Sequence, residues 1–348
     1  MEESQKIDNE QYLGRKHYSN DKKEKRNLSK NSNELAKRKE KSNNSYDNFI
    51  LNSKELIFKM NNKAVSFLCL LDDGRFTTAS YYCNIFVYNK KTYKPDLVIK
   101  GHNSTVCIIK IKKNILVRCS AYNDITLFKV KGNDYVVLQD FYYEHSLHNI
   151  IEIKNKNLLA FGSGNSIVIF LKNNNNKIQK DYEIPTNSYI KYIAQTKENE
   201  ISYLESDDVN SKIYFYNLDE RKIKFSLSKS HNPYYSGIFN MITKDLLMIG
   251  EYNQMSLINV NNYKLVNQII ISDSYFFSGI CRLNENMFLA GDFYGKLRQW
   301  KIEGNNIKLI STKDAHKSAI QAVIKFDHGK IVSCCCSEPS DKSFKIWN

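Results

Sequence analysis

From Glu55 to the end of the chain, short apolar runs alternate with clusters of Asn, Asp, Gly and Lys at regular spacing. That pattern predicts many antiparallel strands and argues against strands alternating with helices. Residues 1–50 have a different texture. They hold few aliphatic side chains, show no sustained period and are rich in Lys, Asn, Ser and Glu. Such a segment buries too little apolar area to offset the entropy of ordering it, so it is expected to be disordered. The chain therefore divides into a basic tail, residues 1–50, and an all-β domain, residues 51–348.

The β region repeats itself. Glu55-Leu-Ile-Phe-Lys-Met-Asn-Asn-Lys-Ala-Val-Ser-Phe-Leu lies without a gap on Asp96-Leu-Val-Ile-Lys-Gly-His-Asn-Ser-Thr-Val-Cys-Ile-Ile, at an offset of 41 residues. His316-Lys-Ser-Ala-Ile repeats His102-Asn-Ser-Thr-Val. A strand that ends on a large apolar residue recurs at Tyr88, Phe128, Phe170, Tyr216, Ile258, Trp300 and Trp347, with spacings of 40, 42, 46, 42, 42 and 47. The next residue is Asn89, Lys129, Leu171, Asn217, Asn259, Lys301 or Asn348. A period of 40–45 residues, with a Gly-His start and an aromatic-polar end, marks propeller blades. Over residues 55–348 the chain resembles the WD-repeat β-propeller family, most fully in its last repeat. The resemblance implies seven blades of four antiparallel strands. The last repeat stops after its third strand, and residues 55–59 form a fourth-strand pattern with no blade before them. Placing Leu56, Ile57 and Phe58 as the outer strand of the last blade closes the ring and covers an open edge.

In that family a His, a Ser, an Asp and the Trp form a buried hydrogen-bonded set, in which the indole N–H donates and the carboxylate accepts. The last blade offers His316, Ser333, Asp341 and Trp347. Blade two keeps His102 and Ser120, with Tyr122 where Asp is expected. Tyr82, Tyr122, Tyr252 and Tyr294 each stand six residues before the terminal position of their strand. The Asp-type set is therefore expected to be absent from those blades, which are then held mainly by packing. The tyrosines then have two readings. They form a ring of aromatic anchors on a docking face, or each fills the space left by the missing Asp–His pair.

The net charge of +14 is spread. Residues 1–50 carry +3 of it, and Lys is abundant throughout, which weakens a nucleic-acid reading. Within the tail, Lys25-Arg26 and Lys37-Arg38-Lys39 are separated by ten residues, the layout of a bipartite nuclear-import signal. The eight cysteines form no C-x-x-C pair, and free buried thiols are expected. The charged start and the lack of a run near 18 apolar residues predict a soluble intracellular protein, cytoplasmic or nuclear. No phosphate-binding loop, dinucleotide fingerprint, metal motif or catalytic set is recognisable, so no cofactor is expected. The expected function is a non-enzymatic scaffold or adaptor binding other proteins or peptides, a single propeller within a larger complex. The alternative is an RNA- or chromatin-associated factor that uses the basic tail and surface.

Overall fold

The structure is a computed structural model. It describes residues 55–59, 65–79, 84–101, 105–145, 147–206, 211–229, 238–251, 253–272, 277–335 and 343–347. The tail with its two basic clusters lies outside these residues, as do Tyr82, His102, Tyr252 and Asp341.

The described strands form seven four-stranded antiparallel sheets. Six are built from four consecutive strands, in order from the inside outward. The inner strands are Phe67–Leu70, Thr105–Ile111, Leu147–Ile153, Tyr189–Lys197, Ile238–Met241, Phe277–Arg282 and Ile320–Lys325. Each touches the inner strand of the next blade, and the last touches the first, so the blades form a closed ring. The second strands are covered on both faces by neighbouring blades. Ile115–Ser120, Met287–Asp292 and Ile331–Cys335 are buried at every residue. This is why they read as continuous apolar runs and not as alternating ones. Outer strands such as Asp134–Tyr142 are mostly open to solvent.

The seventh blade is closed as expected. Its outer strand is Glu55–Lys59, which pairs antiparallel with Ser343–Trp347 in unbroken register, Leu56 opposite Ile346 and Phe58 opposite Phe344. In the other six blades the outer strand carries one extra residue at the same place. The bulge falls immediately before Tyr88, Phe128, Phe170, Tyr216, Ile258 or Trp300 on the third strand. A bulge bends its strand and increases the local twist. All seven terminal residues are buried.

The core lies between blades. The seam joining the last blade to the first is aromatic. Phe76 stacks on Tyr88 at 4.9 Å, and Phe344 meets both edge-on at 5.3 and 5.0 Å. At the seam of blades six and seven the backbones approach closely, and a Cβ on Gly291 would fall 2.4 Å from the Ile320 side chain.

Three seams carry a cation–π lock from the turn between the third and fourth strands. Tyr93, Arg221 and Tyr263 hold equivalent places in Asn89-Lys-Lys-Thr-Tyr-Lys, Asn217-Leu-Asp-Glu-Arg-Lys and Asn259-Val-Asn-Asn-Tyr-Lys, each with positive φ. The leading Asn accepts backbone N–H groups of its turn: Lys91 and Thr92, Asp219 and Glu220, or Asn261. Lys330 of blade seven lies over Tyr93 and donates to its hydroxyl at 2.9 Å. Lys197 of blade four treats Tyr263 of blade five the same way, 4.4 Å from the ring centre. At the third lock the partners exchange sides, with Arg221 4.2 Å over Tyr182 of the preceding blade.

Cys69, Cys107, Cys119, Cys281, Cys334 and Cys335 are free thiols. Burial pushes Cys69 and Cys281 up to about 12 and Cys107 to about 11. Thiolate is the reactive form. A disulfide reagent at pH 8 should therefore leave these six untouched until denaturant is added. Rapid labelling of any of them in the folded protein, located by mass spectrometry, would contradict this packing.

Candidate functional site

Strand direction alternates within a blade, so the turns sort onto two faces. Turns between the first and second strands, and between the third and fourth, share a lower face. Turns between the second and third strands share the upper face with the connections between blades.

In blade seven, His316 enters from the upper face. Its Nε2 shares a 2.8 Å hydrogen bond with Ser333 Oγ, to which the Trp347 indole N–H also donates at 2.9 Å. All three are buried. The loop bearing His316 is held by the neighbouring blade, since the N–H groups of Ala315 and His316 both donate to the Gly295 carbonyl at 3.0 and 2.9 Å. Gly295 has φ +80°, and a Cβ there would lie 2.1 Å from the His316 carbonyl oxygen. Gly295→Ala should therefore lose about 2–4 kcal/mol, from the left-handed backbone and the clash together. A chemical denaturation curve reads this directly, and a loss under about 1 kcal/mol would mean that the turn adjusts freely.

Pairing register identifies the residue equivalent to Ser333. Ser333 faces Lys345, two residues before Trp347. The same offset selects Thr78, Arg118, Phe161, Tyr203, Ile249 and Ala290 in blades one to six. Blade one keeps a version of the contact, because the Thr78 side chain shares a hydrogen bond with Tyr88, whose hydroxyl burial pushes up to about 12. Blade two does not keep it at Ser120, which stands two residues beyond the Ser333 position.

Blades two and six, expected to be held mainly by packing, each carry in addition a different buried polar set. In blade two the Arg118 guanidinium pairs with Asp124, and the Ser120 hydroxyl donates to the same carboxylate. Thr126 Oγ1 accepts from Arg118 at 3.4 Å and donates to Asp140 at 2.9 Å. In blade six Asp292 Oδ2 accepts from Arg298 Nε at 3.1 Å. Its Oδ1 accepts the N–H groups of Tyr294 and Lys296 at 3.0 and 2.8 Å. Arg118, Asp124, Asp292 and Arg298 are all buried. The two sets are mirrored. Arg118 lies on the second strand opposite Thr126, whereas Arg298 lies on the third strand opposite Ala290. A guanidinium can fill this space from either strand when a small residue faces it, and the carboxylate then comes from whichever strand end is left.

These sets fix the turns that carry two of the sequence-selected tyrosines. The N–H of Tyr122 donates to Ser120 Oγ at 3.1 Å, as that of Tyr294 does to Asp292. The backbone is tied down and the side chain points outward, with Tyr122 65% exposed and Tyr294 55% exposed. Neither fills a vacated space in the core. Phe293 sits edge-on to Tyr294 at 5.9 Å and is also exposed. Topology adds upper-face residues that no motif position flags: Tyr142 and Ile270 at the ends of outer strands, and Tyr189 at the start of an inner one. Their signal was a large apolar residue at a strand end, beside the turn.

Between blades two and three the upper face holds a cavity of about 390 Å³ lined by His145, Ser166 and Glu183. The Tyr143 hydroxyl donates to Glu183, which Lys180 meets at 2.7 Å. Both contacts hold the Glu183 carboxyl below the usual range, Lys180 foremost. Among the described residues no three His, Cys, Asp or Glu side chains are grouped to hold a metal ion, and no helix is long and apolar enough to cross a membrane. No protein-family model matches the chain, and no curated protein is similar to it in sequence. What its residues establish is the architecture: a seven-bladed β-propeller closed by a strand from the N-terminal side.

Proposed function

We propose that the chain is a WD-repeat-type propeller working as a non-enzymatic interaction platform, and that its upper face docks a protein or peptide through the turn tyrosines. The observation that carries this reading is exposure combined with rigidity at Tyr122 and Tyr294. A tyrosine on a tied-down turn offers large contact area at little entropic cost, and such residues dominate binding energy at interfaces. Tyr82 and Tyr252 hold the same place in sequence and are proposed as further members of the ring. The His316–Ser333–Trp347 set, with Asp341 proposed as its fourth member, supports the WD-repeat assignment. A propeller alone does not specify a cargo; the upper-face side chains do.

The test is quantitative capture by the full chain, run beside Tyr122→Ala/Tyr294→Ala. Both side chains are exposed, so the variant should keep its stability within about 0.5 kcal/mol. A partner bound by the native chain should bind the variant at least tenfold more weakly. Unchanged affinity for every partner in a folded variant would refute the reading.

A further inference from the structure

The upper-face cavity between blades two and three holds hydrogen-bonding capacity that the fold leaves unspent. Ser163 and Ser166 stand in its wall, at either end of the turn between the second and third strands of blade three. Their hydroxyls lie 3.3 Å apart and share one hydrogen bond. Two hydroxyls carry two protons, and one bond uses one of them. Among the described residues neither hydroxyl has another partner. One proton is therefore left over, on side chains that are 1% and 7% exposed. A donor so placed favours a ligand that brings an acceptor, because leaving it unmet is costly.

Glu183, on the outer strand Ile178–Pro185, supplies the opposite capacity. Its Oε1 takes both the Tyr143 hydroxyl and the Lys180 ammonium. Among the described residues its Oε2 takes no hydrogen bond, so an acceptor stays open. Charge is balanced on the spot. Among the described residues Glu183 is the one carboxylate in the wall, and Lys180 offsets it from 2.7 Å. Lys180 also lies 3.7 Å from Glu144, whose side chain is 63% exposed and stands outside the wall. An anionic ligand would meet Glu183, and a cationic one would compete with Lys180 for it. One open donor beside one open acceptor suits a neutral group that carries both, such as a primary carboxamide. The cavity also adjoins the tyrosines of blade two. The Tyr143 N–H donates at 2.9 Å to the carbonyl of Asn123, the neighbour of Tyr122, and the Tyr143 hydroxyl holds Glu183.

We propose that this cavity receives the side-chain carboxamide of a glutamine or asparagine from the docked partner, its oxygen accepting from the serine pair and its N–H donating to Glu183 Oε2. The source of the amide rests on the upper-face docking reading; the amide chemistry of the cavity does not. At about 390 Å³ the space holds one side chain. A side chain seated in a pocket beside exposed aromatic contacts is a common form of interface anchor.

The probe is propionamide, titrated into the full chain and followed by ligand-observed NMR. A dissociation constant of about 50 mM or tighter is expected for so small a ligand. Butanone keeps the carbonyl and lacks the N–H groups; it, propionate and propylammonium should each bind at least threefold more weakly. Ser163→Ala/Ser166→Ala should weaken propionamide at least threefold. Gly164→Leu should abolish binding by filling the cavity. A Cβ at Gly164 meets open space, so this variant carries the test if the serine variant fails to fold. Tyr122→Ala/Tyr294→Ala should bind propionamide as the native chain does, which separates the cavity from the tyrosines. A captured partner at saturation should displace the propionamide. The proposal is overturned if propionamide does not bind at about 200 mM, if any of the three analogues binds as tightly, or if either folded cavity variant keeps native affinity. Propionamide that stays bound beside a saturating partner would overturn the partner's amide as the occupant.

Discussion

Asp292→Ala is expected to destabilise the propeller by about 3–5 kcal/mol, because it strips a buried guanidinium of its carboxylate. Arg298 is 1% exposed and cannot reach water without opening the blade. The same change removes the acceptor that ties the N–H groups of Tyr294 and Lys296 into the turn. The double variant Asp292→Asn/Arg298→Leu should recover most of the loss. Asparagine keeps an oxygen for the turn, leucine fills the space without a charge, and exchanging a whole buried ion pair for apolar packing is often neutral. Urea denaturation of the three proteins separates the cases. Equal losses in single and double variants would show that the pair is not what holds this blade. The pH dependence has a defined sign. Burial holds the Asp292 carboxyl above its ordinary value, even against the pull of the Lys296 N–H and Arg298. In the pH window above the ordinary value the folded state therefore binds the proton more readily than the unfolded chain. The stabilisation linked to that proton is full below the ordinary value and is lost as pH rises through the folded one.

Deleting residues 1–60 should cost about 3 kcal/mol or more, whereas deleting 1–48 should cost almost nothing. The first truncation removes Glu55–Lys59 and leaves Ser343–Trp347 paired on one side only, with Ile331–Cys335. At about 1 kcal/mol per hydrogen bond, a five-residue ladder accounts for a loss of that size. The exposed edge would also invite association between chains. The effect should spread beyond blade seven, because Phe344 and Ile346 on the newly exposed edge strand belong to the aromatic seam with blade one. A synthetic peptide of residues 51–62 should restore part of the melting temperature. Identical melting of the two truncations would contradict closure by this strand.

Much of this architecture could be read from residue spacing. The seven terminal positions from Tyr88 to Trp347 fall where expected, because a buried third strand must end on a large side chain once per blade. Closure by Leu56–Phe58 was legible because one blade lacked a strand and one strand lacked a blade. The polar sets were harder to place. A hydroxyl or carboxylate at the end of a strand can serve either neighbour, so Ser120 seemed equivalent to Ser333 until pairing register put Arg118 there. The buried ion pairs were hidden because Arg118 and Arg298 come from different strands, and no single spacing describes both. The locks at Tyr93, Arg221 and Tyr263 did leave a trace, an Asn four residues before the Tyr or Arg and a Lys one residue after it. It falls in the turn beyond the motif and marks a seam between blades. The orientation of Tyr122 and Tyr294 depended on which atom caps each turn, and spacing does not reveal that.

Hydrogen–deuterium exchange of the full chain, free and saturated with a captured partner, tests the platform most directly. Binding should slow exchange in the upper-face turns around residues 121–123 and 293–295 and leave the lower-face turns at residues 90–93 and 218–221 unchanged. Protection confined to the lower face or the outer strands, with the tyrosine turns exchanging as before, would contradict it.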